Sequence, residues 1–190
     1  SPAQERQAFE LPPGFEIELV ASEPDISKPM NMAFDAKGQL WVTDTLEYPF
    51  PAPSNQKGRD SIKVFSDTDK DGAYDKITTF ADGLNIPIGL YPYKNGVLVW
   101  SIPNLWWYED TDGDGMAERR EKRYGPLGWE RDTHGMNASF TRGFDGWLYA
   151  THGFNNDTTI TGTDGSRVVM NSGNTYRVRL DGSRVEQHTF

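Results

Sequence analysis

Two short windows of this chain, 67–75 and 110–121, hold nine acids at spacings that suit a hard cation. In "EDTDGDGMAERRE" (109–121), Asp110, Asp112 and Asp114 alternate, Gly115 permits a sharp turn, and Glu118 and Glu121 follow. The stretch satisfies the calcium-loop pattern D-x-[DN]-x-[DN]-G-x5-E. "DTDKDGAYDKIT" (67–78) repeats it with Asp67, Asp69, Asp71, Gly72 and Asp75, but places Thr78 at the twelfth position. Calcium favours an all-oxygen shell of carboxylates and backbone carbonyls. Two calcium sites are therefore expected. The ligands would be the alternating aspartates, the carbonyls of Ala73 and Met116, and Asp75 or Glu118 with Glu121. Without a metal, the same residues would make Asx-type turns.

A second chemistry is available to two of the three histidines. His134 opens "THGMNASF" and His152 closes "YATHGF", both beside loops. An imidazole titrates near neutrality and serves as a general base. A histidine that only bonds the loop backbone is the plain alternative at both positions, and His188 reads as a surface residue. Asp44 and Asn85 fall at comparable strand ends, where such residues also cap turns. Trp41, Trp100 and Trp147 read as packing between layers, and Trp106 and Trp107 as one inward, one outward. Trp129, in the loop "GPLGWERDTH", is the tryptophan placed to touch a ligand. "NAS" (137–139) and "NDT" (156–158) match glycosylation acceptors, a weak pattern.

What positions these residues is a repeat. "MNMAFDAKGQLWVTD", "IPIGLYPYKNGVLVWS" and "MNASFTRGFDGWLYAT" each set apolar alternation around a K-G, N-G or D-G turn. Each is followed by a second strand–turn–strand segment, and the acidic windows are the turns of the first two. The glycines of the first turns stand at 38, 96 and 146, so the periods are 58 and 50 residues. Four-stranded units at that spacing are the mark of a β-propeller. The expected fold is thus all-β, with about three four-stranded antiparallel blades, half of a six-bladed ring. Their approximate spans are 30–80, 86–124 and 134–190 within one domain. Residues 1–29 would be a lead-in whose strand, "GFEIELVAS" (14–22), completes another blade. An EF-hand is excluded on this reading, because "VLVWSIPNLWWYED" is β-branched, aromatic and interrupted by Pro103 where a helix would be needed.

Strand parity then separates two faces. With the first strand of each unit running downward, the short turns and both acidic loops lie below. The long loops 45–60, 124–134 and 152–173 lie above, with His134 and His152. Binding sites collect on long loops held by a rigid scaffold. The metal loops are therefore expected to stiffen hairpins, and the upper rim to carry function.

Bulk composition fits. Among 190 residues, 13% are aromatic, which argues against disorder, and the net charge of −9 argues against nucleic acid as partner. No Cys is present, so disulfides, thiolate metal sites and covalent haem attachment are excluded within the segment. No apolar run is long enough for a membrane span, and the opening "SPAQERQ" suits a secreted or periplasmic chain that has lost its leader.

"LPPGFEIELVASEPDISKPMNMAFDAKGQLWVTDTLEYP", "DTDKDGAYDKITTFADGLNIPIGL" and "THGMNASFTRGFDGWLYATHGF" together resemble the N-terminal propeller of planctomycete-type membrane-bound dehydrogenases. Those propellers are similar to the soluble, PQQ-dependent glucose, sorbosone and pyranose dehydrogenases. The resemblance covers nearly the whole chain. It implies hydride transfer from a sugar or alcohol carbinol to a quinone, with His134 as general base. It also implies Asp132 and His152 beside that base and Asn85 and Asn137 facing PQQ. Two departures stand out: Thr133 replaces the acid that directly precedes the histidine, and "DGLNI" puts Leu84 where the sugar enzymes carry a polar residue. The cations that hold PQQ in those enzymes belong to later blades, and a cytochrome c is the implied electron acceptor.

Two rivals remain open from the residues alone. One is a non-catalytic, calcium-stabilised propeller binding carbohydrate or a protein partner through its upper loops. The other is a metal-dependent lactonase-type propeller, for which Asp44 is the main carboxylate on offer. On any of these readings three blades expose apolar faces, so self-association or remaining blades are expected.

Overall fold

The computed structural model describes residues 1–189. It is all-β apart from one short helix, with 14 strands in four antiparallel sheets among the described residues. The first sheet is β1 (Lys28–Phe34), β2 (Leu40–Thr45), β3 (Asp60–Ser66) and β4 (Lys76–Leu84), in that order. The second is β5 (Ile88–Tyr93), β6 (Gly96–Ser101), β7 (Asn104–Glu109) and β8 (Arg119–Tyr124). The third uses β9 (Ala138–Arg142), β10 (Leu148–His152), β13 (Asn174–Val178) and β14 (Val185–Thr189). Between β10 and β13 a separate hairpin is inserted, β11 (Thr158–Thr161) paired with β12 (Arg167–Met170). Helix α1 (Pro2–Ala8) opens the chain, fixed by a capping box between Ser1 and Gln4 with proline in the first turn.

Alternation along the strands assigns the faces. Trp41, Ile62, Val64 and Phe80 of the first sheet pack on Leu90, Val97, Val99 and Tyr108 of the second. From the opposite face of the second sheet, Leu98, Trp100, Leu105 and Trp107 pack on Leu148, Ala150, Tyr176 and Val178 of the third. Burying each such side chain contributes roughly 1.5–3 kcal/mol, so two apolar seams hold three sheets in a stack. The first strands lie along one line. Asn31 accepts from the Gly89 backbone, and a side chain at Gly89 would meet Ala138 at 3.1 Å. That close approach is one reason this position is glycine.

The two end faces of the stack differ. On the first sheet, Leu40, Val42 and Phe65 form a small apolar cluster, beside which Met32 and Phe34 are 71% and 63% exposed. On the third sheet, Trp147 lies under the guanidinium groups of Arg177 and Arg179 at 4.6 and 3.9 Å. Arg177 also pairs with Asp145 at 2.9 Å and Glu186 at 2.6 Å. Of the three second-strand tryptophans, Trp41 and Trp100 fill the seams between the sheets, while Trp147 faces the open side of the third sheet under its own arginines.

Residues 14–22 join no sheet of this chain, and their Phe15, Leu19 and Val20 are exposed; a strand that completes another blade finds its pairing edge on that blade. The segment 152–173 corrects the expectation of a free upper loop. Its alternating Ile160, Val168 and Met170 enter the core, and Thr163 and Asp164 bond to Gly182 and Ser183 at the far end of the third sheet.

Candidate functional site

Both acidic loops are connections between antiparallel strands, β3 to β4 and β7 to β8, with no helix before either. Their backbones are built alike. Asp67 accepts from the amides of Lys70 and Gly72 at 2.7 and 2.9 Å, and Asp110 from Gly113 and Gly115 at 2.6 and 2.9 Å. Asp69 and Asp112 each accept the amide two residues on, as do Asp71 from Ala73 and Asp114 from Met116 at 2.8 Å. The left-handed position held by Gly113 is occupied by Lys70 in the first loop, at φ 65°, a conformation costing a side-chain-bearing residue roughly 1 kcal/mol more than glycine.

The fourth carboxylate separates the loops. Glu118 and Asp75 occupy equivalent places, each held by a threonine: Thr111 amide to Glu118 at 2.8 Å, Thr68 amide to Asp75 at 3.0 Å. Hydrogen bonds from Thr68 hold the Asp75 carboxyl below the usual carboxylate range. Glu118 has one methylene more, and its carboxylate joins Asp110, Asp112 and Asp114 with all ligand atoms within 4.8 Å of one another. In the first loop only Asp67, Asp69 and Asp71 converge this way. Glu121 does not reach its loop. It lies in β8, where its carboxylate pairs with Arg119 at 3.1 Å and Arg123 at 2.7 Å. The twelve-residue template assumes a helix after the loop; a strand points that residue elsewhere. Four carboxylates gathered without a compensating cation repel one another, and an all-oxygen donor set fits calcium.

The loops occupy the rim of the first turns. Tyr74 bonds the Gly38 carbonyl and Asn95 bonds Asp110. The second loop also reaches across to the first sheet, Ala117 donating to Phe80 at 2.8 Å.

The opposite rim is tied together by contacts between distant residues. The Tyr48 hydroxyl meets His134 Nδ1, with the rings edge-on at 5.3 Å. Thr133 donates to the Pro49 carbonyl at 2.8 Å, and Asp132 accepts the His134 amide at 2.8 Å. Asp132 thus orients the loop that carries His134. Asn156, buried, bonds the backbone of Asp132 and Gly135. His134 itself is exposed.

The other residues singled out in the sequence sit differently. His152 is buried, with Nδ1 against the Ser172 carbonyl at 3.0 Å and Nε2 against Thr158 Oγ1 at 2.8 Å, so both ring nitrogens are engaged. Asn85 binds the backbone of Ala52 through both amide atoms. Asn137 is fully buried and accepts from Tyr176 at 2.8 Å. Asp44 accepts the Ser27 amide at 2.8 Å. The geometry gives His152, Asn85 and Asp44 structural tasks, while the Asn137 Nδ2 is buried with no hydrogen-bond partner among the described residues.

Two residues of this rim escape motif reading. Tyr48 belongs to a loop legible only as long and aromatic. Asp60, 1% exposed, accepts from Thr45 Oγ1, and from the amides of Leu46, Glu47 and Ile86, at 2.7–3.0 Å. It binds the first upper loop to both neighbouring sheets. Beside it a cleft of about 480 Å³ opens between the first two sheets, with Trp106 and Trp129 among its walls and Arg120 lying 4.4 Å over Trp106.

A family model described as "Domain of unknown function (DUF7133)" matches residues 1–190. The chain belongs to this family. No curated protein matches it. For DUF7133 the chemistry must accordingly be argued from the rims themselves. A PQQ site would need cations for its carboxylates, and several cations of the upper rim are committed. Lys28 donates to the Leu46 and Tyr48 carbonyls, Arg59 pairs with Glu47 at 2.9 Å, and Arg131 with Asp157 at 2.7 Å. Of the cations at the cleft, Arg120 pairs with no carboxylate among the described residues and lies over Trp106, so cations for PQQ would have to come from Arg120 or from further blades.

Proposed function

We propose that this chain is a three-blade section of a calcium-stabilised β-propeller that binds carbohydrate on its loop-rich rim. The cleft bounded by Trp106 and Trp129 carries the reading. The Trp129 indole can stack on the C–H face of a sugar ring, Trp106 being covered by Arg120, while the hydroxyl and amide groups of Ser54 and Gln56 at the edge suit sugar hydroxyls. Calcium in the two acidic loops would stiffen the opposite ends of the hairpins without touching the ligand. Resemblance to sugar-oxidising propellers points to the same substrate class. The neighbouring blades, a sugar ligand and a secreted or periplasmic setting belong to this proposal.

The test is calorimetric titration of neutral mono- and oligosaccharides into the calcium-loaded chain, beside Trp129→Ala. Binding weakened about tenfold or more by the substitution is expected, as stacked aromatics contribute on the order of 1–2 kcal/mol. Absence of heat with every sugar would sink the reading.

A second reading is favoured by the Tyr48–His134 contact. If Nδ1–H donates to the Tyr48 oxygen, Nε2 presents a lone pair outward and can take a proton from a sugar hydroxyl. That is the base a dehydrogenase of the resembled type requires. Nitrogen NMR showing the proton resident on Nε2 at neutral pH would rule this role out.

A further inference from the structure

On the metal-loop rim, the groove between the first two sheets sets Asp35, Asp110 and Asp114 against Lys37, Lys76 and Lys94. The next groove along, between the second and third sheets, is richer in cations. It encloses about 520 Å³ and is lined by Lys94, Arg119, Arg123, Arg142 and Arg179 against Glu109, Glu121 and Asp181. In a chain of net charge −9 this concentration of cations stands alone among the cavities described.

The carboxylates there are already engaged. Glu109 and Glu121 pair with Arg119, Glu121 also with Arg123, and Asp181 accepts the Ser183 amide at 2.9 Å. Among the described residues, Lys94, Arg142 and Arg179 have no carboxylate within 4.0 Å. Arg123 Nε is buried with no acceptor at all, a costly state for a charged donor. The Arg142 and Arg179 guanidinium groups, neither paired with a carboxylate, converge beside Gly146, whose carbonyl accepts from Arg179 at 3.5 Å. A side-chain carbon at Gly146 would lie 3.5 Å from Arg142 Nη2 and 3.6 Å from Arg179 Nη1. Arg179 lies over Trp147 at 3.9 Å, and the buried Tyr124 hydroxyl fixes its turn by sharing its one proton between the Arg179 and Arg184 carbonyls at 2.8 and 2.9 Å. Like charges brought together in this way lack only a shared counter-ion.

We propose that this groove binds a tetrahedral oxyanion, a sulfate or phosphate group, through Arg142 and Arg179 with Lys94 at its edge. Guanidinium pairs recognise such anions by parallel N–H···O bonds. The site is independent of the carbohydrate cleft, which lies on the opposite rim.

Isothermal titration of the full chain with inorganic sulfate, inorganic phosphate and glucose 6-sulfate tests it, with chloride at matched ionic strength as control. The expected result is saturable binding of at least one of them, weakened about tenfold or more in the Arg142→Gln/Arg179→Gln double variant. Tighter binding of glucose 6-sulfate than of the inorganic ions identifies an ester on a larger molecule. Equal or weaker binding identifies the free ion. Arg142→Gln alone, at an exposed position, keeps the test valid if the double variant unfolds. Trp129→Ala is expected to leave the binding of inorganic sulfate and phosphate unchanged, and glucose 6-sulfate is compared in that variant so that the sugar cleft does not contribute. No saturable binding by any of the three, or binding indifferent to Arg142→Gln, overturns the proposal.

Discussion

The two rims of the stack are made in opposite ways. On the acidic rim each cluster is local, its aspartates two residues apart within a single turn and, in the second loop, Glu118 four residues further on. On the loop rim almost every tie is remote: Tyr48 with His134, Asp60 with Ile86, Asn85 with Ala52, Asn156 with Asp132. A local cluster survives as a unit and asks only for its ion. A remote one exists only when three sheets are stacked. Disturbing the loop rim should therefore damage folding, whereas disturbing the acidic rim should chiefly alter metal response.

The sharpest break would come at Asp60. Asp60→Ala leaves the buried Ile86 amide and the part-buried bonds of Leu46 and Glu47 without their acceptor and is expected to cost about 2–4 kcal/mol in denaturant unfolding. A loss under about 1 kcal/mol would show that the loop rim does not depend on it. Calcium should have the next largest effect. At a hundredfold excess over its dissociation constant, one site stabilises by about 2.7 kcal/mol, read as a rise in melting temperature. Glu118→Gln should weaken that response about tenfold, while Glu121→Gln should change it less than about twofold. Equal effects from the two would return Glu121 to the ligand set.

The histidines provide a smaller contrast. His152→Ala removes a buried ring bonded at both nitrogens and should cost about 2 kcal/mol. His134→Ala, at the surface, should stay within about 0.5 kcal/mol and show its effect only in turnover. Acid titration gives the smallest signal. Thr68 holds Asp75, Tyr149 holds Asp145, and Arg177 holds Glu186 below the usual carboxylate range. A lowered folded value means stability fully present above the ordinary carboxylate pKa of about 4. It is lost as pH falls through the lower folded values, so a melt between pH 8 and about pH 5 should be flat. Because these groups are exposed, each contribution is small.

How far residues alone could be read follows the same divide. Asp110, Asp112 and Asp114 declare themselves because sequence spacing is already spatial spacing in a tight turn. The helix-free setting was equally legible from Pro103 and the aromatic strand around it. Glu121 misled because a pattern drawn from one fold was carried past the point where this chain becomes a strand. The capping box at Ser1 and Gln4 was visible in "SPAQ" and went unread beneath a strand expectation further on. Tyr48 and Asp60 could not be found this way, since their partners are chosen by the stacking of sheets rather than by neighbours in the chain.

The arginines over Trp147 make the column of sheets a one-way object. A second copy of this chain set front to back would press paired guanidinium and carboxylate groups onto Met32 and Phe34, which offer them no hydrogen bond. An adjoining blade could cover that end only by bringing partners for those charges. Runaway growth into filaments, the usual hazard of a repeating β-architecture with a bare greasy end, is thereby blocked from one side.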